Sequence, residues 1–533
     1  NYFRTGIQYL KGLPFSPRLL RGSIPDVMTP LSWSLIRALD NESLVVPGYY
    51  AWSGNICGRS YSTMSQSLSA MMDVYGKNVG RSVRQLLDEV FGHIPEQIAL
   101  PLHPFSRGQM LKLMIPRILY LIRNMRAASK RMPGFLANAP AESRRIREQL
   151  RFATTTRELL AIWKQDLQPA MKRAWWGLVV GTNNGMWALS VKKKLTKLVG
   201  IEDANTLLSH LRGNAELASL GLVVGIAQIV KGEIGEEDFV RQYGHRSPHE
   251  FELSLPDPME DAHYLQRQRE AYAKAAVDVE QLLLKQQARY EEARRRFEQR
   301  YPRKSTWLSK QLARAGAAAR LREATRSEFT RVYRVIRAFA LCAGEFTGIG
   351  QEIFFLYMDE VEELLAGRAD AVKSIPARKA NYEKYQALPP FPPVIRGRFD
   401  PFMWAKDPNR RLDYYDATAL QEQPADSDTL HGYPGAAGRV EGIVRILHCP
   451  EEGDHLQPGE ILVAPTTNVG WTPLFPRAAA IITDVGAPLS HAAIVARELG
   501  IPAVVGCGNA TTRLKTGDRV IVDGGQGRVF LAK

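Results

Sequence analysis

Residues 483–506, TDVGAPLSHAAIVARELGIPAVVG, constrain the fold more than any other part of the chain. An apolar run ending in AIIT precedes a turn rich in glycine and proline. The turn is followed by apolar residues at helical spacing and then by a second short apolar run. This pattern predicts a strand, a turn, a helix and a strand, with Ser490 as the N-cap and His491 in the first helical turn.

The position of His491 has a chemical meaning. The first turn of a helix presents unpaired N–H groups and a partial positive charge, which together favour a bound anion. An imidazole at that point is a nucleophile beside an anion cradle. An isolated Ser-His pair at a helix start is also compatible with an ordinary hydrogen-bonding histidine, and the two residues alone leave that alternative open.

Hydrophobic periodicity divides the chain into regions of different character. Residues 64–370 are dominated by long amphipathic patterns, residues 387–425 are rich in proline, and short apolar runs bounded by glycine follow residue 430. We therefore expect a multidomain protein of the α and α/β classes. A large all-α domain would occupy residues 1–425, with a proline-rich linker at 387–425, and a small β/β/α domain would occupy residues 430–533.

One segment of the helical region allows two interpretations. Residues 267–300 are dense in Arg, Glu, Gln and Lys, with apolar residues three and four positions apart. This pattern fits a surface helix with many ion pairs, or a short coiled coil. The irregular heptad register favours the surface helix.

Composition and charge narrow the possible functions. The first 425 residues hold 61 Lys and Arg against 44 Asp and Glu. A basic surface attracts nucleic acid, membranes or phosphorylated ligands, but the sequence contains no recognisable nucleic-acid motif. We therefore expect phosphate-bearing ligands and no nucleic-acid partner.

Cysteine spacing and hydropathy bear on the compartment. The four cysteines are scattered and form no CxxC or His/Cys cluster, so we expect no metal site and a reducing environment. The longest apolar stretch, 217–230, is too short to span a bilayer. These features predict a cytoplasmic protein without a membrane partner.

The C-terminal region closely resembles a known family. The string LSHAAIVARELGIPAVVG, followed by DRVIVDGGQGRVFL, is similar to the mobile phosphohistidine domain of the phosphoenolpyruvate synthase and pyruvate phosphate dikinase family. The resemblance covers about residues 434–533. It implies that His491 is phosphorylated, that the domain swivels between two active sites, and that Thr483, Ser490 and Arg497 are motif partners of the histidine.

Shorter motifs in the helical region resemble the rifampicin phosphotransferases. These motifs are MTPLSWSL at 28–35, GRSYSTMS at 58–65, YGHRSPHEFELSLP at 243–256 and LREATRSEF at 321–329. The resemblance covers most of residues 25–425, but only as islands. It implies that the helical region binds the acceptor, with Thr29 and Trp33 near the substrate, although the two could equally be a helix cap and a core aromatic.

The residues of the last two motifs support a site on chemical grounds. YGHRSPHE concentrates titratable groups in a turn, where a scaffold can aim them into a cleft: His245, Arg246, His249 and Glu250. Arg322 and Arg326 are four residues apart and lie on one helix face, as a two-pronged phosphate grip requires. The alternatives without a functional role are that YGHRSPHE is a polar connection between helices and that Arg322 and Arg326 lie on a solvated basic face. Where the resembled enzymes have lysine, this chain has Arg326, which keeps the charge but changes the geometry.

The resemblance also implies components that the motifs of this chain do not supply. In the resembled enzymes an ATP-grasp domain binds ATP and Mg²⁺ and phosphorylates the histidine. We find no glycine-rich phosphate loop before the TPLSWS motif. We therefore expect ATP and Mg²⁺ to bind to an ATP-grasp domain of a longer enzyme or to a separate ATP-grasp subunit.

Together these features predict a dikinase-type phosphotransferase. His491 would relay a phosphoryl group from ATP to a hydroxyl of a small hydrophobic molecule, an antibiotic or a biosynthetic intermediate. Arg322 and Arg326 would neutralise charge on the transferred group, and His245 would be the base. Two alternatives remain: a dehydratase driven by phosphorylation, and a non-catalytic phosphohistidine carrier that docks a partner.

Overall fold

The computed structural model describes fourteen stretches of the chain: residues 14–16, 27–43, 53–63, 107–208, 220–246, 249–256, 260–261, 263–275, 279–392, 394–407, 410, 414–417, 429–488 and 490–532. Contacts divide the chain into two compact units. Unit 1 contains Asn1–Gly177, His249–Pro256 and Glu328–Ala425, and unit 2 contains Leu178–Pro248, Asp257–Ser327 and Asp426–Lys533. No helix within the described stretches is both long and apolar enough to cross a membrane.

Helices dominate the chain up to residue 386, as the periodicity predicts. In chain order they are α1 (Pro30–Ser43), α2 (Arg107–Phe152), α3 (Thr156–Ile162), α4 (Gln168–Leu207), α5 (Gly221–Val230), α6 (Glu236–Tyr243), α7 (Tyr264–Ala275), α8 (Val279–Arg300), α9 (Ser305–Phe346), α10 (Met358–Leu365) and α11 (Ile375–Gln386). Three short helices follow: α12 (Pro401–Lys406), α13 (His491–Leu499) and α14 (Ala510–Arg513). A π-helical turn, Trp163–Leu167, joins α3 to α4. Short 3₁₀ turns occupy Pro302–Lys304, Gly350–Phe355, Asp370–Ser374, Pro450–His455 and Val469–Arg477.

The described residues of the charged segment, predicted as a surface helix, belong to helices α7 and α8. Its ion pairs run along and beside α8, where Arg296 binds both Glu292 and Asp203 at 2.7 Å. Apolar residues of the same helix face inward, since Phe297 is buried with Leu195 and Leu308. The structure thus gives this segment an amphipathic surface helix, as the preferred interpretation predicts.

Unit 1 contains a small sheet that the sequence did not predict. Its five strands are β1 (Pro14–Ser16), β2 (Ser53–Ile56), β3 (Arg59–Thr63), β4 (Val394–Arg396) and β5 (Tyr414–Asp416), in the order β2-β3-β1-β4-β5. Strands of three to five residues give too little alternation to be recognised. The sheet adds to the helical fold class, which the structure confirms.

The proline-rich segment 387–425 supplies two of these strands, helix α12 and part of a core. Phe391, Phe399 and Trp404 are buried there with Ile56 and Tyr61. The rings of Phe391 and Phe399 meet edge to face at 5.4 Å. Helix α11 ends before the prolines, as expected. Burial of the aromatic side chains stabilises the segment that follows.

Unit 2 contains an eight-stranded mixed sheet. Its strands are β6 (Thr429–His431), β7 (Tyr433–Ala436), β8 (Arg439–Ile446), β9 (Ile461–Ala464), β10 (Ala480–Thr483), β11 (Ala503–Val505), β12 (Arg519–Asp523) and β13 (Arg528–Leu531). The order is β6-β13-β12-β8-β9-β10-β11-β7, with β8, β9, β10 and β11 parallel. Every residue of β9, β10 and β11 is buried, as expected for parallel strands covered on both faces.

Two hydrophobic cores hold this sheet. One contains Val444, Ile482 and Val520. The other joins helix α13 and the sheet to helical residues from earlier in the chain, among them Val223 and Leu283. The two units are defined by their internal contacts, which do not show whether a domain moves independently. The division into residues 1–425 and 430–533 therefore stays a prediction.

Candidate functional site

The turn before His491 has the local structure that the sequence predicts. Ser490 is the N-cap of α13: its backbone is extended, and its hydroxyl accepts a hydrogen bond from the N–H of Ala493 at 3.5 Å. His491 is therefore the first helical residue. At the other end the helix stops at Gly500, whose φ of 69° is costly for residues with a side chain.

Two threonine hydroxyls contact the imidazole of His491. The Oγ1 of Thr472 lies 3.2 Å from Nε2, and the Oγ1 of Thr467 lies 3.5 Å from Nδ1. The ring of Phe475 packs against the imidazole with a centroid separation of 5.9 Å. All three residues belong to the segment after β9, and the side chain of Asn468 caps its 3₁₀ turn by accepting from the N–H of Gly470.

Sequence reasoning missed Thr467 and Thr472. A signal existed, because β9 and β10 are adjacent parallel strands with Ala464 paired to Thr483. The carboxyl ends of adjacent parallel strands lie at the same sheet edge, which brings the chain after β9 to the turn after β10. Recognising this requires the strand order, which the sequence alone did not give.

The electrostatics of His491 favour the neutral imidazole. The side chain is half-buried. Desolvation, followed by the charge of Arg326, lowers its pKa to about 3. Glu323 opposes this shift, and Arg246 and Arg322 add smaller lowering effects. Neutral imidazole keeps a nitrogen lone pair for nucleophilic attack, and the positive charges that disfavour imidazolium also favour an added phosphoryl dianion.

Glu323 forms a basic cluster with Arg246, Arg322 and Arg326. Burial by itself raises the pKa of its carboxyl, but the charges of Arg322, Arg246 and Arg326 hold that pKa at about 2. Arg322 also donates a hydrogen bond to Glu323 at 3.1 Å. The cluster therefore carries three positive charges against one negative charge, and the net positive charge faces His491.

Helix α9 can carry this cluster because another helix approaches it closely. A Cβ added at Gly181 of α4 would lie 2.2 Å from the Oγ1 of Thr325 and 3.1 Å from the Cα of Arg322. The hydroxyl of Thr325 is itself fixed by the carbonyls of Leu321 and Arg322. Gly181 thus sets the position of the helix turn that bears Arg322 and Arg326.

His245 and Arg246 lie where helix α6 ends. The N–H of Arg246 donates to the carbonyl of Tyr243 in a tight turn, and both residues are buried. The Nε2 of His245 is 2.6 Å from the Oγ of Ser327 on α9. Ser327 was not predicted as a site residue, because only the fold brings it to His245.

The three predicted motif partners of His491 have different surroundings. Arg497 donates to the carbonyls of Gly435 and Pro488 at 2.8 and 2.9 Å, so it supports the turn before His491. Burial lowers the pKa of Arg497 to about 10, which leaves it charged at neutral pH. The hydroxyl of Thr483 is buried and has no hydrogen-bond partner among the residues that the structure describes.

The remaining predicted residues belong to unit 1. Thr29 precedes α1, and its N–H and hydroxyl both donate to Glu252 at 2.8 Å. Trp33 and Glu250 are buried, and within the described stretches the indole N–H of Trp33 has no hydrogen-bond partner. Thr29 and Trp33 therefore occupy a helix start and a core position, while their binding role stays a prediction.

The turn YGHRSPHE is shared between the two units. His245 and Arg246 belong to unit 2, whereas His249 and Glu250 belong to unit 1. The described residues of neither unit contain three or more His, Cys, Asp or Glu side chains arranged to hold a metal ion.

The comparison with protein families agrees with this geometry. Residues 456–527 match the family described as "PEP-utilising enzyme, mobile domain". The C-terminal region of this chain is thus similar to that mobile domain. The matched residues include His491, both threonines that contact it, and the strands β9 to β12.

Curated relatives extend the similarity. The chain is 32% identical over 314 residues to the prodigiosin synthesizing transferase PigC of Serratia marcescens, covering 55% of this chain and 33% of that protein. It is 34% identical to a rifampicin phosphotransferase of Streptomyces sviceus, covering 34% and 19%. It is 46% identical to a probable phosphoenolpyruvate synthase of Staphylothermus marinus, covering 19% and 12%. The chain thus spans a third or less of the length of each.

Proposed function

We propose that this chain transfers a phosphoryl group from ATP, through phospho-His491, to a hydroxyl of a small hydrophobic molecule. The overall reaction is of the dikinase type, in which ATP, acceptor and water give AMP, phosphate and a phosphorylated acceptor. The observation that carries this proposal is a neutral imidazole at a helix N-terminus facing Arg246, Arg322 and Arg326.

The chemistry follows from the charges in the site. The Nε2 lone pair of His491 attacks the β-phosphorus of ATP, the P–N bond forms as the P–O bond to AMP breaks, and water then releases the terminal phosphate. The hydroxyl of Thr472 lies where it can donate to the incoming group. The three arginines then neutralise the phosphohistidine and, on transfer, the loose phosphoryl transition state. Glu323 limits the net charge of the cluster, so that the arginines hold the phosphoryl group without trapping it.

We assign ATP and Mg²⁺ to an ATP-grasp domain or subunit, as the resemblance to the phosphoenolpyruvate synthase family implies. Mg²⁺ there would neutralise the polyphosphate and orient it for transfer. In this chain the role of the arginine cluster begins once the phosphoryl group is on His491.

The acceptor is the least specified component. Its proposed contacts are Thr29, Trp33, Arg246 and Glu250, with His245 as the base for its hydroxyl. Two observations support a hydrophobic, hydroxylated acceptor. The relatives named above include a rifampicin phosphotransferase. In addition, Trp33 buries an indole N–H that could donate a hydrogen bond to a ligand oxygen.

Arg322→Ala separates the two half-reactions. We expect the variant to form phospho-His491 but to lose transfer to an acceptor, measured with rifampicin as the first probe in a panel of hydroxylated hydrophobic molecules. The full-length enzyme, or this chain with its ATP-grasp partner, is incubated with [β-³²P]ATP. Unchanged acceptor transfer in Arg322→Ala would show that the acceptor site lies elsewhere. Phosphorylation without transfer to any compound of the panel by the wild type would favour the phosphohistidine carrier.

A further inference from the structure

The hydroxyl of Ser327 is hydrogen-bonded to the imidazole of His245. The Oγ of Ser327 and the Nε2 of His245 are 2.6 Å apart. His245 is buried and Ser327 is half-buried. A serine hydroxyl bonded to a buried imidazole is the arrangement that activates serine as a nucleophile.

The pair lies on the same two segments as the basic cluster of His491. Ser327 directly follows Arg326 and is one helical turn beyond Glu323, so Glu323 and Ser327 share a face of α9. His245 directly precedes Arg246. All of these residues belong to unit 2 together with His491. Because His245 and Ser327 directly adjoin Arg246 and Arg326 in the chain, the pair lies beside two of the cations whose charges act on His491.

We propose that Ser327 is a second phosphoryl acceptor within the chain, which takes the phosphoryl group of phospho-His491 when no small-molecule acceptor is bound. This inference rests on the proposed function. The Oγ of Ser327 attacks phosphorus, the new P–O bond forms, and the P–N bond of phosphohistidine breaks. The serine proton moves to the Nε2 of His245, and the imidazole of His491 leaves with its lone pair. The product is phosphoserine beside imidazolium.

The two phosphorylated residues differ in stability, which makes the proposal testable. Phosphohistidine is lost in acid, whereas phosphoserine survives acid and is lost in strong base. The full-length enzyme, or the chain with its ATP-grasp partner, is incubated with [β-³²P]ATP without acceptor and quenched at intervals. Phosphate at residues 327 and 491 is then located by mass spectrometry after acidic and neutral work-up. The variants are Ser327→Ala, His245→Ala and His491→Ala, with Ser309→Ala on the same helix as the matched control.

We expect acid-labile phosphate at His491 first and acid-stable phosphate at Ser327 later, in the wild type and in Ser309→Ala. His491→Ala should contain neither. Ser327→Ala should keep phospho-His491, which also shows that it folds. His245→Ala should slow the transfer to Ser327 by about 100-fold relative to the wild type, the usual contribution of a general base.

Other outcomes separate this inference from the function on which it rests. Phosphate at His491 with none at Ser327 after long incubation would overturn the inference and leave the proposed function standing. If Ser327→Ala then also slows transfer to an acceptor, Ser327 relays a proton for His245 instead. Phosphate at Ser327 in His491→Ala would contradict the relay between the two residues. Absence of phosphate at His491 in the wild type would overturn both.

Discussion

Two buried glutamates, one in each unit, have different partners and pKa values shifted in opposite directions. Glu252 in unit 1 accepts hydrogen bonds from the N–H and hydroxyl of Thr29 and from the N–H of Ser254. These partners are neutral, and burial raises the pKa of its carboxyl. Glu323 in unit 2 is also buried, but the charges of Arg322, Arg246 and Arg326 hold its pKa at about 2.

The difference separates a carboxylate that fixes the fold from one that belongs to a charged site. Glu252 ties the start of α1 to residues 252–254 and needs only hydrogen-bond donors. A carboxylate that only stabilises the fold does not need three arginines around it. Removing that many cations from water also costs free energy. Under the proposed function, the surplus of positive charge around Glu323 would be balanced by an additional anion, the phosphoryl group on His491.

Removing one arginine should have the largest effect. Arg326→Ala is expected to slow phosphoryl transfer from His491 by about 100-fold or more, the scale of losing one charged group that stabilises a phosphoryl transition state. It should also raise the pKa of His491, since Arg326 is the strongest charge that lowers it. Single-turnover transfer and an NMR titration of the imidazole measure the two effects. Arg314→Ala, exposed on the same helix, is the control, and equal rates in both variants would contradict the role of Arg326.

Removing the structural glutamate should affect stability and leave the chemistry unchanged. Glu252→Ala leaves buried donors of Thr29 and Ser254 without partners, so we expect the free energy of unfolding to fall by about 2–3 kcal/mol. Phosphorylation of His491 in the folded fraction should not change. Denaturant unfolding measures the loss, with exposed Glu363→Ala as the control. A Glu252→Ala variant of wild-type stability would show that the buried hydrogen bonds are not needed.

A mutation at the contact between α4 and α9 should disturb the charged site indirectly. Gly181→Ala forces Thr325 and the backbone of Arg322 to move, which we expect to cost about 1–3 kcal/mol of stability through overpacking. Transfer from phospho-His491 should fall as well. The control is Gly134→Ala in helix α2, where an added Cβ meets no atom within 4 Å and alanine favours the helix. If the two variants behave alike, the close approach at Gly181 does not position the arginines.

The smallest effects should appear in the pH dependence of stability. Glu323 has a pKa below its unfolded value of 4.5, so its contribution is present above pH 4.5 and is lost as the pH falls towards 2. Glu252 has a raised pKa, so its ionisation destabilises the fold as the pH rises above 4.5. Unfolding free energies of wild type, Glu323→Gln and Glu252→Gln are compared between pH 7 and pH 4. The advantage of the wild type should shrink against Glu323→Gln and grow against Glu252→Gln as the pH falls. Parallel curves would remove the distinction between the two glutamates.

His491 adds a trend of its own to this profile. Its pKa falls from 6.5 in the unfolded chain to about 3 in the fold, so the unfolded state binds a proton that the folded state does not. Stability should decrease as the pH falls from about 6.5 towards 3, and His491→Gln should remove that part of the slope. Between pH 5 and pH 8 the imidazole should remain neutral.

Local features were predictable from the sequence, and contacts between distant segments were not. The strand, turn and helix around Ser490 and His491 follow from neighbouring residues, and the structure confirms them. The contacts of His491 with Thr467 and Thr472 depend on the pairing of β9 with β10, and the pair of His245 with Ser327 depends on how α6 meets α9. The linker prediction weighed the prolines of residues 387–425 but not the burial of Phe391 and Trp404, which only the fold reveals.

The central claim, that His491 carries a phosphoryl group held by the arginine cluster, is tested most directly by the mass of the protein. The full-length enzyme, or this chain with an ATP-grasp partner, is incubated with [β-³²P]ATP, and intact mass and radiolabel are measured before and after mild acid, with His491→Ala in parallel. The account predicts one acid-labile phosphate at residue 491 that is absent from the variant. No labelled adduct at His491, or the same adduct in His491→Ala, would contradict it.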